Sequence, residues 1–116
     1  MNPTKMNKFL SILIAEARQD TAYVGPEQLK RAKKLLPLTR LMRVLGDGQQ
    51  ITTAWRPCHL CNAPGAMFRM FQPGGRWTFS CTGKCGKHGD QVDYLKAKFS
   101  LSDGEAIRLL SKLICP

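Results

Sequence analysis

The chain has 116 residues, of which 18 are Lys or Arg and 8 are Asp or Glu, so its formal net charge is +10. This length suits one domain, and a hydrophobic content of 43% is ordinary for a globular protein. The chain contains no repeat or low-complexity stretch, and no run approaches the roughly 20 apolar residues that are needed to span a membrane.

The first segment, residues 5–19, has the apolar periodicity of an amphipathic helix. Apolar residues recur at i, i+4, i+7, i+8 and i+11, namely Met6, Leu10, Leu13, Ile14 and Ala17. An export signal is the alternative, because Lys5 and Lys8 precede an apolar run and Ala15-Glu-Ala17 resembles a cleavage site. The run is short and the glutamate is poorly placed for cleavage, so we expect a helix.

Two short helices are predicted next. Gly25-Pro26 breaks the chain and places proline at the start of a helix over 27–36. Four basic residues lie on that helix, namely Lys30, Arg31, Lys33 and Lys34. After Pro37, an apolar stripe predicts another helix that ends at Gly46 and consists of Leu38, Leu41, Met42 and Leu45.

Three strands are predicted in the middle of the chain. The segment 50–56 is rich in Ile, Thr and Trp, and the segment 66–72 alternates with Phe68 and Met70 on one face. A Pro-Gly-Gly turn at 73–75 then predicts an antiparallel return strand over 76–81. On that return strand Trp77, Phe79 and Cys81 share a face.

Two helices are predicted to close the chain. Asp90 caps the first and has Asp93 three residues on; Val92, Leu95 and Phe99 are its candidates for burial. A Ser102-Asp-Gly-Glu105 capping box begins the second, whose apolar stripe consists of Ala106, Leu109, Leu110, Leu113 and Ile114. The expected fold class is therefore α+β, with a small antiparallel β-sheet flanked by N- and C-terminal helices.

Four cysteines form two close pairs, Cys58 with Cys61 and Cys81 with Cys85, on either side of a nineteen-residue segment. Zinc takes four thiolates tetrahedrally, and two turns of a small hairpin can supply them, so we expect the sheet to form a zinc ribbon with one structural Zn²⁺. Two disulfides are the alternative. The odd cysteine count, with Cys115 left over, favours a reducing cytoplasm over an exported protein.

Two histidines are alternative ligands. His59 stands between the first two cysteines, where its side chain is expected to point away from the metal. His88 follows Cys85 by three residues and is expected at the surface of a turn. We therefore expect four cysteine ligands, with either histidine as the less favoured donor.

Positive charge is concentrated around the cysteines. Between residues 28 and 89 there are eleven Lys or Arg residues and a single acid, Asp47. A solubilising surface is the simplest explanation, but charge of one sign over so long a segment favours a polyanionic partner. Nucleic acid is the expected one.

Several motifs from residue 36 onward together resemble one known family. They are the first cysteine turn with its strand, Cys58-His-Leu-Cys61 to Phe68-Arg-Met70; the second turn, Phe79-Ser-Cys81-Thr-Gly-Lys-Cys85-Gly-Lys-His-Gly-Asp90; and the helix motifs Val92-Asp-Tyr-Leu95 and Ser102-Asp-Gly-Glu-Ala-Ile-Arg-Leu-Leu110. Together they resemble the N-terminal zinc-binding domain of bacterial and phage DNA primases. On this basis residues 37–116 are expected to form a primase-type zinc-binding domain. Residues 1–36 are expected to form an N-terminal helical extension that packs with it as one unit.

The chain departs from that family in three ways. Cys61 stands where the family commonly has histidine, and three residues rather than two separate Cys81 from Cys85. The chain also ends at Pro116, where a primase would continue into a polymerase core with an acidic metal site. We therefore expect a protein that is not an enzyme.

The resemblance implies a module that binds single-stranded DNA in replication priming and supports a separate polymerase, primase or helicase. A phage or other mobile element is the expected source, with no membrane or small-molecule substrate as partner. The candidate DNA contacts are Arg43, Arg56, Arg69, Arg76, Trp77, Lys84 and Lys87. For Trp77 a place in the core of the sheet is the alternative.

Two other functions remain open from the sequence. The first is a protein–protein adaptor or inhibitor that reuses the primase zinc-ribbon fold to dock on a replication or defence protein through its extra N-terminal helix. The second is a minimal primase, which the missing acidic cluster disfavours.

Overall fold

The computed structural model describes residues 3–61, 63–83 and 87–114, with side chains from residue 8 onward. Within these ranges the fold is α+β, with five α-helices and one four-stranded antiparallel sheet. The elements in chain order are α1 Pro3–Gln19, α2 Pro26–Leu35, α3 Leu38–Val44, β1 Arg56–Pro57, β2 Met67–Phe71, β3 Thr78–Cys81, β4 His88–Gly89, α4 Gln91–Phe99 and α5 Asp103–Ile114.

The predicted helices are confirmed. α2 begins at Pro26, where the missing N–H of proline is not needed, and the Gly25 N–H donates to Gln28 Oε1 at 3.0 Å. The apolar stripe of α3 is entirely buried. Gly46, at φ 85°, adopts the left-handed conformation that ends this helix and that glycine tolerates best.

Both predicted capping arrangements are confirmed. The Asp90 carboxylate accepts from the backbone N–H of Val92, and Asp93 accepts from the N–H of Asp90 at 3.0 Å. At α5, the Ser102 N–H donates to Glu105 Oε1 at 2.8 Å and the Glu105 N–H donates to Ser102 Oγ at 3.2 Å. These reciprocal bonds satisfy backbone donors that the first helical turn leaves free.

The sheet has four strands in the order β1-β2-β3-β4, one more than predicted. The β2–β3 hairpin pairs Phe68 with Cys81 and Met70 with Phe79, so its inner face is buried as the alternation predicted. The unpredicted strand, β4, has only two residues, His88 and Gly89, and neither has a strong strand preference. It forms through pairing with β3.

The prediction of a first strand over residues 50–56 is largely wrong. Residues Gly48–Gln50 form a 3₁₀ turn, and only Arg56–Pro57 pairs with β2. Thr52 accounts for the difference, because its hydroxyl accepts from the Ala54 N–H and donates to the Ala54 carbonyl. Such local side-chain bonding competes with a strand ladder and bends the chain.

The core lies between the inner face of the sheet and the helices. α5 contacts α1, α2 and α4, and buries Ala106, Leu109 and Leu110. Leu10 and Leu13 of α1 belong to the same buried cluster as the sheet residues. No helix in the described part of the chain is long and apolar enough to cross a membrane.

Candidate metal centre and sheet surface

Three of the predicted metal ligands converge at one end of the sheet. Cys58 directly follows β1, Cys61 lies in the turn after it, and Cys81 ends β3. Their sulfur atoms all lie within 4.8 Å of one another, and the Cys61 and Cys81 sulfurs are 3.7 Å apart. Cys58 and Cys81 are buried, and Cys61 is half-buried. This group can hold a metal ion.

The two cysteine turns present their sulfurs in the same way. The Leu60 N–H donates to Cys58 Sγ at 3.4 Å, and the Gly83 N–H donates to Cys81 Sγ at 3.3 Å. In each turn the donor is two residues after the acceptor. Donors aimed at sulfur favour the charged thiolate, which is the form that binds metal.

Close packing joins the two turns. A Cβ atom on Gly83 would collide with the Cβ of Ala66 and would lie 3.4 Å from Cys61 Sγ. The Cys58 N–H also donates to the Ala66 carbonyl at 2.9 Å. The glycine therefore allows the second turn to approach the first closely enough for their sulfurs to meet.

The donor set suits a thiophilic cation. Burial raises the pKa of the Cys58 thiol, and metal binding requires the thiolate, so a bound cation would displace its proton. Two other predicted residues of the second turn, the fourth ligand Cys85 and the DNA-contact candidate Lys84, lie outside the described residues.

His59 is not part of the sulfur group. Its Nε2 lies 2.6 Å from the hydroxyl oxygen of Tyr94, and its ring packs edge-on against Phe68 with centroids 4.7 Å apart. Its Nδ1 is buried and, among the described residues, has no hydrogen-bond partner. Burial lowers the pKa of His59, which favours the neutral ring. His88, the other alternative ligand, is exposed on β4.

A chain of partly buried polar contacts continues from His59. The Tyr94 hydroxyl donates to Asp47 Oδ2 at 2.6 Å, and Lys98 Nζ contacts both Asp47 oxygens at 3.1 and 2.9 Å. Burial and the Asp47 carboxylate raise the pKa of Tyr94, so this hydroxyl stays protonated and donates. Because Tyr94 donates to Asp47, it accepts from His59 Nε2–H. Asp47, the single acid between residues 28 and 89, is therefore paired with Tyr94 and Lys98 within the protein.

The outer face of the sheet carries a cation stacked on aromatic rings. The guanidinium carbon of Arg69 lies 5.1 Å from the centroid of the Trp55 ring and 5.5 Å from that of Phe71. Trp55 is 43% exposed. In the sheet register Arg69 pairs with Ser80, which pairs with His88, so a row of polar side chains crosses from β2 to β4. We call Trp55, Arg69, Phe71, Ser80 and His88 the outer sheet face.

The other predicted DNA contacts lie in different places. Arg56, Arg76 and Lys87 are exposed on β1, after the β2–β3 turn and before β4, respectively. Arg43 is exposed on α3 beside Gly48. Trp77 is half-buried and packs against the core, in keeping with the alternative given for it.

Sequence reasoning missed Trp55 and Phe71 as candidate binding residues. The alternation of β2 already placed Arg69 and Phe71 on the face opposite Phe68. Trp55 directly precedes the basic Arg56 and lies three residues before the first cysteine. The stacking of Arg69 between the two rings depends on the path of the loop before β1, which the sequence pattern misjudged.

No profile of a known protein family matches the chain, and neither a curated protein nor a solved structure matches it. Function therefore has to be inferred from the chain's own residues.

Proposed function

We propose that this protein is a zinc-dependent module that binds single-stranded DNA in replication priming and serves a separate polymerase, primase or helicase. The observation that carries the proposal is the stack of the half-buried Arg69 on the exposed Trp55 and on Phe71, on the outer face of the sheet that carries the cysteines. The resemblance of the cysteine turns and the last two helices to primase zinc domains gives the priming context.

Stacking and charge on one face are what a single strand requires. Its bases are unpaired and can stack on aromatic or guanidinium planes, each stack contributing roughly 1–3 kcal/mol. Trp55 offers such a plane, and Arg69 is held in place by its two ring contacts. Exposed Arg56, Arg76 and Lys87 supply cations for the phosphates near the same sheet.

The proposed metal holds this surface together. Cys58 follows β1 directly and Cys81 ends β3, so one ion bound to both would fix the end of β1 relative to the end of β3 on that side of the sheet. Zinc is the metal we propose, since thiolate sulfurs select it and four-coordinate thiolate sites are structural. We include Cys85 as the fourth ligand from its spacing.

The proposal assigns binding and no catalysis to this chain. The carboxylates of Asp47, Asp90 and Glu105 are engaged in an ion pair or in helix caps. Among the described residues, the only group of three or more His, Cys, Asp or Glu side chains close enough to hold a metal is the cysteine group. Phosphoryl transfer uses acidic metal sites, and no role in it is proposed here.

The test is the binding of a fluorescent thymidine oligonucleotide, followed by anisotropy at several salt concentrations. We expect binding that weakens steeply as salt rises, a loss of about tenfold or more with Trp55→Ala, and a comparable loss with Arg69→Ala. Arg69→Lys keeps the charge and loses the planar stack, so it separates the two contributions. Lys8→Gln, an exposed charge change on α1, is the control and should have little effect.

A second candidate function, a protein–protein adaptor, is favoured by a different surface. Phe9 and Ile12 of α1 are 47% and 57% exposed and lie one turn apart. Under this alternative, wild-type protein shows no salt-dependent binding to single strands, and Arg69→Ala does not change the anisotropy of the oligonucleotide. Under the first proposal, Phe9→Gln with Ile12→Gln leaves oligonucleotide affinity unchanged.

A further inference from the structure

We propose that α2 extends the DNA site beyond the edge of the sheet, with Lys30 and Lys34 holding phosphates of the strand that crosses the outer sheet face. The inference rests on the proposed function and gives the N-terminal segment, which has no counterpart in the resemblance, a role in it. Three observations support it: where α2 lies, how its charges are arranged, and which of them are already neutralised.

α2 ends next to the exit from β4. The Gln91 side chain, 7% exposed, donates to the Lys33 carbonyl and to the Leu36 carbonyl, both at 3.0 Å. Lys33 Nζ also contacts Asp90 Oδ2 at 2.6 Å. Asp90 and Gln91 directly follow His88 and Gly89, so these contacts place the last turn of α2 within a few residues of the edge strand.

The row of side chains on the outer sheet face leads to that edge. It runs from Arg69 through Ser80 to His88, which is exposed and is preceded by the exposed Lys87. Asp90 lies two residues after His88, and two residues span at most roughly 7 Å of chain. A strand that follows the row across the sheet therefore reaches the α2 terminus when it leaves β4.

The lysines of α2 are arranged as a pair of like charges. Lys30 and Lys34 lie four residues apart, which puts them on one face of the helix, and both are exposed. Neither forms an ion pair with any residue in the part of the chain that the structure describes. Like charges at this spacing destabilise a helix, and a bound phosphate between them would remove that cost.

Lys33 has a separate role because its charge is already matched. Its ammonium pairs with Asp90, which is also the cap of α4. Lys33 is therefore a positioning residue that fixes the α2 terminus against the start of α4. Lys30 and Lys34, on either side of it in the sequence, keep their charges available for a ligand.

The partner that fits is the sugar–phosphate backbone of a single strand, bound without regard to sequence. Ammonium groups on flexible stems act as point charges towards phosphate and carry no base information. The α2 lysines should therefore lengthen the occupied site and steepen its salt dependence, while stacking on Trp55 and Arg69 remains the contribution of the sheet.

The experiment compares a short thymidine oligonucleotide, about the length that one small domain covers, with one about three times longer, at several salt concentrations. For wild-type protein we expect tighter binding and a steeper salt slope with the long one. The double variant with Lys30→Gln and Lys34→Gln should bind the short oligonucleotide with an affinity within twofold of that of the wild type. For the long oligonucleotide, this double variant should reduce the slope of log K against log salt by about 1.4. Each single-strand phosphate contact contributes about 0.7, and the variant removes two such contacts.

Two controls keep this test specific. Lys8→Gln with Lys5→Gln removes the same number of charges from α1 and should change neither oligonucleotide's slope. The thermal unfolding midpoint of the α2 double variant should equal or exceed that of the wild type, since a repulsion has been removed. A lower midpoint, or an equal loss on both oligonucleotides, would contradict the inference, because the variant would then act through the fold.

The possible failures can be told apart. If Arg69→Ala abolishes binding of the short oligonucleotide while the α2 variant binds the long one like wild type, the extension by α2 is wrong and the proposed function stands. If wild-type protein binds neither oligonucleotide at low salt, both are wrong. The inference is supported when the α2 double variant, and not the α1 control, no longer binds the long oligonucleotide more tightly than the short one.

Discussion

His59 Nε2 lies 2.6 Å from the hydroxyl oxygen of Tyr94, and this contact joins the first cysteine turn to helix α4. The Tyr94 ring is fully buried and also packs edge-on against Phe79 of the sheet, with centroids 5.5 Å apart. Beyond Tyr94 the contacts pass to Asp47, which follows α3. The turn that presents Cys58 is thus anchored to two helices as well as to any bound metal.

Tyr94→Phe should destabilise the protein by about 1–3 kcal/mol, because it removes the partner of His59 Nε2 and one hydrogen bond to Asp47 while keeping the ring. The measurement is chemical denaturation, in which we expect a lower midpoint and an unchanged slope. Tyr23→Phe is the matched control, since Tyr23 is 84% exposed and should tolerate the change. Equal midpoints for wild type and Tyr94→Phe would show that these contacts add nothing to stability.

Removal of the metal should reveal whether it is structural. A chelator is expected to lower the thermal unfolding midpoint, since a metal that binds only the folded state stabilises it in proportion to the logarithm of its concentration over Kd. Structural zinc in small modules supplies folding free energy on the order of 10 kcal/mol. A chain that keeps its midpoint and its sheet after chelation would contradict a structural site.

The number of ligands can be tested separately by counting metal ions after dialysis. We expect one ion per chain for the wild type, and little or none for Cys81→Ser and for Cys85→Ser. Cys115→Ser is the control and should keep one ion. Retention of the metal by Cys85→Ser would remove this residue from the ligand set.

Gly83→Ala should weaken metal binding without touching a ligand. The added methyl group collides with Ala66, so the second cysteine turn must move away from the first. We expect metal to be lost at a lower chelator concentration than from wild type, by about tenfold or more. Gly104→Ala is the control, because that glycine lies in α5 and alanine favours a helix. Identical chelator curves would show that the turn absorbs the methyl group.

Much of the fold was predictable because its determinants are local in sequence. The Ser102 capping box and the Gly46 helix end depend on residues within a few positions of each other, and three of the four sulfurs that the cysteine spacing predicted to meet do converge, the fourth lying outside the described residues. The contact of His59 with Tyr94 spans 35 residues and that of Tyr94 with Asp47 spans 47. No periodicity or spacing encodes such contacts.

The outer sheet face likewise combines features that follow from local sequence with features that depend on contacts between distant residues. The alternation of β2 predicts which way Arg69 points, but its stacking partner Trp55 arrives on a loop that is tied to β2 by the hydrogen bond from the Met70 N–H to the Thr52 carbonyl at 2.7 Å. Likewise β4 exists only because the chain after Cys81 returns to pair with β3, and two residues carry no strand pattern of their own. Tertiary contacts therefore determine the stack and the edge strand, the two features on which the proposed binding depends most.

Asp90 should contribute to stability in two separable ways, as the cap of α4 and as the partner of Lys33. Asp90→Ala removes both and is expected to cost about 1–2 kcal/mol, while Asp90→Asn keeps an acceptor for the Val92 N–H and should cost less. The measurement is the free energy of unfolding from denaturant curves for the three proteins. If Asp90→Asn is as damaging as Asp90→Ala, the ion pair rather than the cap dominates.

The pH dependence of this contribution follows from the ionisation of Asp90. Burial alone would raise the pKa of Asp90, but the Lys33 ammonium and the backbone N–H groups of Asp93 and Val92 hold it below its ordinary value of 3.8. A carboxylate with a lowered pKa stabilises the fold fully above that ordinary value and loses its effect as the pH falls through the lowered one. The difference in unfolding free energy between wild type and Asp90→Asn should therefore stay constant from pH 8 to pH 5. A difference that shrinks within this window would mean that Asp90 is protonated there, which the contact with Lys33 does not allow.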